Sequence, residues 1–202
     1  VRIESAGASL PGWWRSRKGS VVHAVAAGRR CLAGSRLQPG DVGVLVSDTM
    51  AEFCPTPYTD HIRWIGWPFH MMLAAYEATG DEKYLAAATK QWLTLKQHFD
   101  PNKGFQVMLA YGHCSREPEA ERCRGQNMYM LGFTLTALAR YHRVTQDPEV
   151  LTALTAGIDQ MIREAWSEEH QSFYLTSCIH QRNSPPPGFC SATFHASEAF
   201  AY

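Results

Sequence analysis

The sequence lacks a surplus of basic residues and lacks a long apolar run. Nineteen Lys and Arg residues balance nineteen Asp and Glu residues, whereas a general nucleic-acid binder needs a basic surface to neutralise phosphates. No apolar run reaches the roughly 18 residues that a membrane-spanning helix requires. We therefore predict that neither nucleic acid nor a membrane is a partner of this chain.

The sequence also lacks a Cys-x-x-Cys motif, because no two of its six cysteines are separated by just two residues. The irregular spacing is unlike that of a compact disulfide scaffold. It favours separate buried or half-buried thiols, and we predict no cofactor and no metal. Two polar loops nevertheless carry cysteine and histidine, and if these loops meet they could hold zinc or form disulfides. The residues of this alternative metal site are Cys114, Cys123, Cys178, Cys190, His113 and His180.

What is present is an apolar segment, Trp64 to Tyr76, that is hydrophobic on every face. A helix of this kind must be enclosed by other elements. Pro68 predicts its start, because proline is tolerated in the first turn of a helix. Gly80 fits the left-handed position that closes the helix, and Asp81 fits the N-cap of the next one.

The next helix, predicted from about residue 82 to 99, is amphipathic. Tyr84, Leu85, Trp92 and others recur on one face, while a second set marks a wet face: Glu82, Lys83, Lys90, Gln91 and Lys96. A buried helix is therefore expected to be followed by a half-exposed one.

The same two-helix unit recurs 66 positions further on. Gly66-Trp67 aligns with Gly132-Phe133, and Asp81 aligns with Asp147. The second unit predicts an apolar helix over 128–144 and an amphipathic helix over 149–166, and each unit ends in a predicted short β ribbon. Hairpin units of about 61–99 and 127–166, with a third inner helix begun at 191–202, are typical of stacked or ring-closed helical hairpins in an all-α fold.

Long polar loops precede the apolar helices, so their side chains are expected to gather at one end of the bundle. Helix N-termini favour anionic ligands, guanidinium groups match carboxylates, and aromatic rings suit sugar faces. This combination predicts a pocket for an acidic oligosaccharide or polysaccharide. The candidate catalytic residues are His61, His195, Tyr58, Tyr129 and Asp60, and the candidate substrate-binding residues are Arg63, Arg124, Asn127, Gln126, Trp64 and Trp67.

Each of these residues also has a purely structural interpretation. Trp64 and Trp67 fit core packing, and His70 and His195 fit hydrogen-bonded histidines within apolar helices. Arg122 and Arg124 follow three glutamates, so a mutually paired surface loop is an equal alternative.

The chain resembles the six-hairpin (α/α)-toroid carbohydrate-active enzymes. The resemblance is carried by Tyr-Glu-Ala-Thr-Gly-Asp at 76–81, Lys-Tyr-Leu-Ala-Ala-Ala at 83–88 and Arg-Gly-Gln-Asn-Met-Tyr-Met-Leu-Gly-Phe at 124–133. Gly-Trp-Pro at 66–68 is most similar to the central toroid of the exo-rhamnogalacturonan lyase type. The resemblance spans about 58–178, and the second copy departs from it at Thr145-Gln146-Asp147.

The resemblance implies a catalytic (α/α)6 toroid whose funnel is lined by the N-terminal ends of its inner helices. Residues 1–202 are then expected to be a fragment of that single domain, with the remainder of the toroid as its partner and with part of the active site elsewhere in the domain. No catalytic motif of the family matches residue by residue, so the candidate site rests on position alone.

Residue types separate the possible reactions. A glycoside hydrolase needs two carboxylic acids, and the predicted rim offers only Asp60, Glu52 and Glu198. β-Elimination from a uronic acid needs a cation for the carboxylate and a histidine or tyrosine for the proton. We therefore predict a polysaccharide lyase, with His61 or His195 as the base, Tyr58 or Tyr129 as the proton donor, and Arg63 or Arg124 on the carboxylate. A glycoside hydrolase, a sugar epimerase on the same fold and a non-catalytic helical-repeat binding module remain alternatives.

Overall fold

The computed structural model describes residues 47–181 and 191–202, and for residues 191–195 it describes the backbone alone. Cys190 and the loop at Pro185–Gly188 lie outside the described residues, as does the side chain of His195. Residues 50–202 belong to one unit, and residues 47–49 belong to another. No described helix combines the length and the hydropathy needed to cross a bilayer.

Residues 50–202 are mostly helical with short antiparallel ribbons, which agrees with the predicted all-α class. The helices are α1 (Arg63–Thr79), α2 (Glu82–Gln97), α3 (Met128–Thr145), α4 (Pro148–Ala165) and α5 (Ser191–Ala201). Three two-stranded ribbons pair β1 (Phe99–Asp100) with β2 (Gly104–Phe105), β3 (Val107–Met108) with β4 (Arg124–Gly125), and β5 (Trp166–Ser167) with β6 (Ser172–Phe173). The ribbons predicted after α2 and α4 are both present.

The prediction that α1 starts at Pro68 is wrong, because the helix starts five residues earlier. A proline within a helix leaves the carbonyl four residues before it without its amide donor, and here that carbonyl belongs to Trp64. The hydroxyl of Thr56 donates to this oxygen over 2.8 Å. A side chain of the preceding loop therefore supplies the missing hydrogen bond, and the helix tolerates Pro68 in its second turn.

Gln91 was predicted on the wet face of α2, and that prediction is also wrong. Its side chain is fully buried, with Oε1 accepting from the amide of Thr56 over 3.1 Å and Nε2 donating to the Cys54 sulfur over 3.0 Å. These bonds satisfy the buried side-chain amide of Gln91 and attach the loop before α1 to α2.

The two hairpins turn in the same way despite their different sequences. Gly80 ends α1 with φ 69°, and Gln146 ends α3 with φ 55°, both in the left-handed region. The Gln146 side chain also donates to the carbonyls of His142 and Arg143 at the end of α3. A glycine at this position has no side chain that could make these bonds. Asp81 and Asp147 then cap α2 and α4 by accepting from the amides of Lys83 and Glu149, as predicted.

Helix α3 lies at the centre of the core and packs against α1, α4 and α5. Helices α1 and α3 run in the same direction, because Ile62 and Gly66 lie beside Thr134 while Glu77 lies beside Arg140. The last turns of α3 and α5 also lie side by side, through Arg143–Glu198 and His142–Tyr202. The N-terminal ends of α1 and α3, with their preceding loops, are therefore on one side of the molecule.

Candidate functional site

Three loops meet at the N-terminal ends of α1 and α3. The Asp60 carboxylate accepts from the amide of Ala110 over 3.0 Å, and the Thr176 hydroxyl donates to the carbonyl of His113 over 3.3 Å. The amide of Gln126 donates to the Ser177 hydroxyl over 3.0 Å. Loops before α1, before α3 and after β6 are thus joined by hydrogen bonds, as the expected gathering of polar side chains requires.

Asp60, His61 and His113 form a half-buried polar cluster. Nδ1 of His113 lies 3.0 Å from the Asp60 oxygen that also accepts from Ala110, and the two imidazole rings meet edge to face with centroids 4.8 Å apart. An imidazole whose Nδ1 donates to a carboxylate keeps its Nε2 as an acceptor. Asp60 therefore fixes the orientation and the tautomer of His113.

The electrostatics of this cluster favour an ionised Asp60 beside a neutral His61. Burial raises the pKa of Asp60, but the hydrogen bonds from His113 and Ala110 and the neighbouring imidazoles outweigh it and leave the pKa below its ordinary value. Burial lowers the pKa of His61, and His113 and Arg63 lower it further, against the opposing effect of Asp60. A neutral imidazole at neutral pH is the form that can accept a proton.

The same three side chains offer ligand atoms that all lie within 4.8 Å of one another. Two imidazoles and a carboxylate can hold a divalent cation. However, the Asp60 oxygen is already an acceptor for both His113 and Ala110, and a cation would have to displace the His113 hydrogen bond. The arrangement therefore fits a hydrogen-bonded proton-transfer group better than a metal centre.

Arg63 and two tryptophans lie beside this cluster on the first turns of α1. The guanidinium carbon is 5.6 Å from the ring centroid of Trp64 and 5.4 Å from that of Trp67, within cation–π range. The rings of Trp64 and Trp67 meet edge to face, and Trp67 also contacts Phe133 of α3. Trp67 is 41% exposed, so part of its ring is open to a ligand at this end of the protein.

Tyr58 and Gln126 form a second polar pair. Nε2 of Gln126 donates to the Tyr58 hydroxyl over 2.9 Å, and the Tyr58 ring stacks on His98 with centroids 4.1 Å apart. Burial raises the pKa of Tyr58 well above its ordinary value, so the phenol keeps its proton at neutral pH.

Among the described residues, three buried side-chain polar atoms have no hydrogen-bond partner, and all three belong to this end of the protein. They are Nδ1 of His61, Nε of Arg63 and Oε1 of Gln126. Each buried polar atom left without a partner costs about 1–3 kcal/mol. Such atoms are rare in folded proteins, and their concentration here indicates groups kept ready for a ligand.

Three cysteines form a further group of side chains next to the cluster of Asp60, His61 and His113. Sγ atoms of Cys114, Cys123 and Cys178 all lie within 4.8 Å of one another, although the sequence favoured separate thiols. The backbone amide of Cys123 donates to the Cys114 sulfur over 3.4 Å. Burial raises the pKa of Cys114, but amide and thiol donors outweigh it and lower that pKa to about 7, whereas burial and the neighbouring thiols raise the pKa of Cys178 to about 12.

Other predicted site residues have roles that the sequence did not reveal. Asn127 is buried and caps α3 by accepting from the amide of Met130. Tyr129 packs partly against the core, and Arg124 lies exposed in β4. Glu198, a predicted rim carboxylate, pairs with Arg143 at the C-terminal end of α3, so that placement was wrong.

Two of the structural alternatives describe what is found. His70 accepts from Arg140 at Nδ1 and donates from Nε2 to the carbonyl of Phe133, as expected of a hydrogen-bonded core histidine. Arg122 pairs with Glu117, as expected of a paired loop. His180 lies 3.4 Å from Arg116 and is outside the cysteine cluster.

His113 is the residue that sequence reasoning undervalued, since it was not among the candidate catalytic residues. Its sequence signal was its place in a long loop before an apolar helix, next to a cysteine. Its pairing with Asp60 joins residues 53 positions apart, and no periodicity in the sequence could have predicted it.

No family model, no curated protein and no solved structure was found to match this chain. The function must therefore be argued from the site itself.

Proposed function

We propose that this chain forms part of an (α/α)6 toroid and that it is a polysaccharide lyase acting on an acidic polysaccharide by β-elimination. The proposal of a toroid is supported by the repeated helical hairpin and by the common direction of α1 and α3. A ring of such hairpins places the N-terminal ends of its inner helices on one rim. Asp60, His61, Arg63 and His113 lie at that end.

The observation that carries the proposal is the pair of unpartnered buried atoms on His61 and Arg63, next to the ordered Asp60–His113 pair. The reaction requires a base and a cation, and here each has a buried nitrogen without a hydrogen-bond partner. The base removes the proton at C5 of a uronic acid, and the cation stabilises the negative charge that develops on its carboxylate.

Residues at this end of the protein can account for each proton transfer in the reaction. His61 takes the C5 proton, the C4–oxygen bond breaks as the C4–C5 double bond forms, and Tyr58 or Tyr129 donates a proton to the leaving oxygen. Arg63 binds the substrate carboxylate, and the open part of the Trp67 ring supports a sugar face. His195 remains a second candidate base, and Arg124 a second candidate cation.

Lyase chemistry is favoured over hydrolysis by the state of Asp60. A hydrolase of the usual kind needs one carboxylic acid that is protonated at working pH. The hydrogen bonds to Asp60 hold its pKa low, and Glu198 is paired at the other end of α3. An ionised Asp60 can serve only as the base of such a pair, so of the three predicted rim carboxylates only Glu52 is left for the acid.

The test is to incubate the full-length protein with a panel of acidic polysaccharides and to follow the ultraviolet absorbance of unsaturated uronic acid ends. We expect His61→Gln and Arg63→Gln to lower kcat/KM by about 100-fold or more, since each removes a group acting in the transition state. The matched control is His142→Gln, because His142 lies at the opposite end of α3 beside Tyr202.

Other products would contradict the proposal and identify the alternative. Saturated reducing ends would indicate a glycoside hydrolase, products of unchanged chain length an epimerase, and binding without turnover a non-catalytic module. An unchanged rate for His61→Gln with unsaturated product present would remove His61 as the base.

A further inference from the structure

The loop end of the protein contains a small buried cluster that is separate from the main core. Its members are Leu109, Cys114 and Cys178, with Cys123 packed against them. Cys114 and Cys178 are fully buried, and Leu109 is nearly so. One leucine and three thiols bury too little apolar surface to hold the loop before α3 and the loop after β6 together.

The positions of the three sulfurs are close to those that a tetrahedral metal needs. A zinc–sulfur distance of about 2.3 Å places the sulfurs of a tetrahedral site roughly 3.8 Å apart. The Sγ atoms of Cys114, Cys123 and Cys178 are within 4.8 Å of one another, so side-chain rotations that move them by about 1 Å reach that spacing. They come from two loops, one before α3 and one after β6.

The backbone around the cluster is arranged for thiolates. The amide of Cys123 donates to the Cys114 sulfur over 3.4 Å. Amide donors of this kind stabilise negative charge on sulfur and recur around metal thiolate sites. Three thiols can form at most one disulfide among themselves, whereas one metal ion uses all three.

We propose that Cys114, Cys123 and Cys178 supply, as thiolates, three of the four ligands of one zinc ion, and that this ion joins the loop before α3 to the loop after β6. Zinc is the borderline-soft divalent ion that thiolates bind in structural sites. Because Cys114 adjoins His113, the ion also fixes the loop that brings His113 to Asp60. The proposal does not depend on the proposed lyase activity.

The test is the zinc content of the purified full-length protein, measured by elemental analysis under reducing conditions. We expect about one zinc per chain in the wild type and a loss of most of it in Cys114→Ser and Cys178→Ser. Cys54→Ser is the matched control, because Cys54 is a buried thiol bonded to Gln91 and Met50 and lies outside the cluster. It should keep the wild-type zinc content.

A second measurement covers the case in which the serine variants do not fold. Wild-type protein is stripped with a chelator and reloaded with Co²⁺, which should give the intense near-ultraviolet sulfur-to-cobalt bands of a thiolate site and should raise the thermal midpoint of the stripped protein. An intact mass lower by two hydrogens, with no metal, would show a disulfide and overturn the proposal. Three reactive thiols that take up neither zinc nor cobalt would overturn it as well.

Discussion

Buried glutamines of α2 and α4 attach segments outside the helices to these two helices. Gln160 of α4 is fully buried and bonds both ways to the backbone of Phe105, its Oε1 accepting over 2.7 Å and its Nε2 donating over 3.0 Å. From α2, buried Gln91 accepts from the amide of Thr56 and donates to the sulfur of Cys54. A primary amide matches the backbone because it carries one strong acceptor and two donors on adjacent atoms.

Replacing Gln160 by Met should destabilise the protein by about 2 kcal/mol or more, because the buried amide and carbonyl of Phe105 both lose their partner. Gln97→Met is the control, since Gln97 is exposed at the end of α2 and should change the free energy of unfolding by less than about 0.5 kcal/mol. Urea denaturation of the two variants measures the difference. Equal effects would mean that the bonds to Phe105 contribute nothing beyond packing.

At the scale of the element, the position at which α1 starts depends on Thr56, a residue outside the helix. Local sequence rules predict a helix start at Pro68, and they fail because Thr56 supplies the donor that the proline lacks. The ends of the helices behave differently. Asp81, Asp147 and Gly80 act through bonds within a few residues, so the sequence predicted the caps of α2 and α4 and the end of α1 correctly.

A double-mutant cycle tests this account of α1. Thr56→Val should cost about 1–2 kcal/mol, because it removes the hydroxyl that donates to the Trp64 carbonyl. In a Pro68→Ala background the restored amide can donate to that carbonyl, so Thr56→Val should cost clearly less there. The cycle cancels the effect of Pro68→Ala on the unfolded chain. A cost for Thr56→Val that is identical in both backgrounds would show that the hydroxyl does not compensate for the proline.

At the scale of the whole molecule, the contact between α1 and α3 is close and partly polar. Gly66 lies against α3 so tightly that a Cβ there would be 2.6 Å from the Thr134 hydroxyl oxygen and 3.1 Å from the ring of Phe133. Beyond it, His70 bridges the helices by accepting from Arg140 and donating to Phe133. Arg140 in turn pairs with Glu77 of α1 over 2.6 Å.

This bridge should make stability depend on pH. Burial lowers the pKa of His70, and Arg140 lowers it further, against the Phe133 carbonyl and the more distant Glu198 and Glu77. A histidine whose folded pKa lies below its unfolded value binds its proton more readily when unfolded. Its contribution to stability is therefore present above about pH 6.5 and is lost as the pH falls through the lowered folded pKa.

We expect the free energy of unfolding to fall between about pH 7.5 and about pH 5.5, and to fall less in His70→Gln, which removes this titration. His170→Gln is the control for the loss of an imidazole away from the α1–α3 contact, since His170 lies partly exposed in the turn between β5 and β6. Urea unfolding at the two pH values gives the result. A His70→Gln variant as sensitive to acid as the wild type would exclude His70 as the cause.

The sequence by itself determined the local features of this protein. It predicted the helices α1 to α5, the turn at Gly80, the capping aspartates and the ribbons after α2 and α4, because each depends on residues close together in the chain. It also predicted which ends of the helices would carry polar loops.

Only the tertiary structure decided which distant side chains meet. The pairing of His113 with Asp60, the burial of Gln91 and the grouping of Cys114, Cys123 and Cys178 join residues from separate loops and helices. Such contacts depend on how helices pack and how loops cross, and neither helical periodicity nor the chemistry of a cap specifies them. The local elements could therefore be predicted from the sequence, whereas the set of residues that form the site could not.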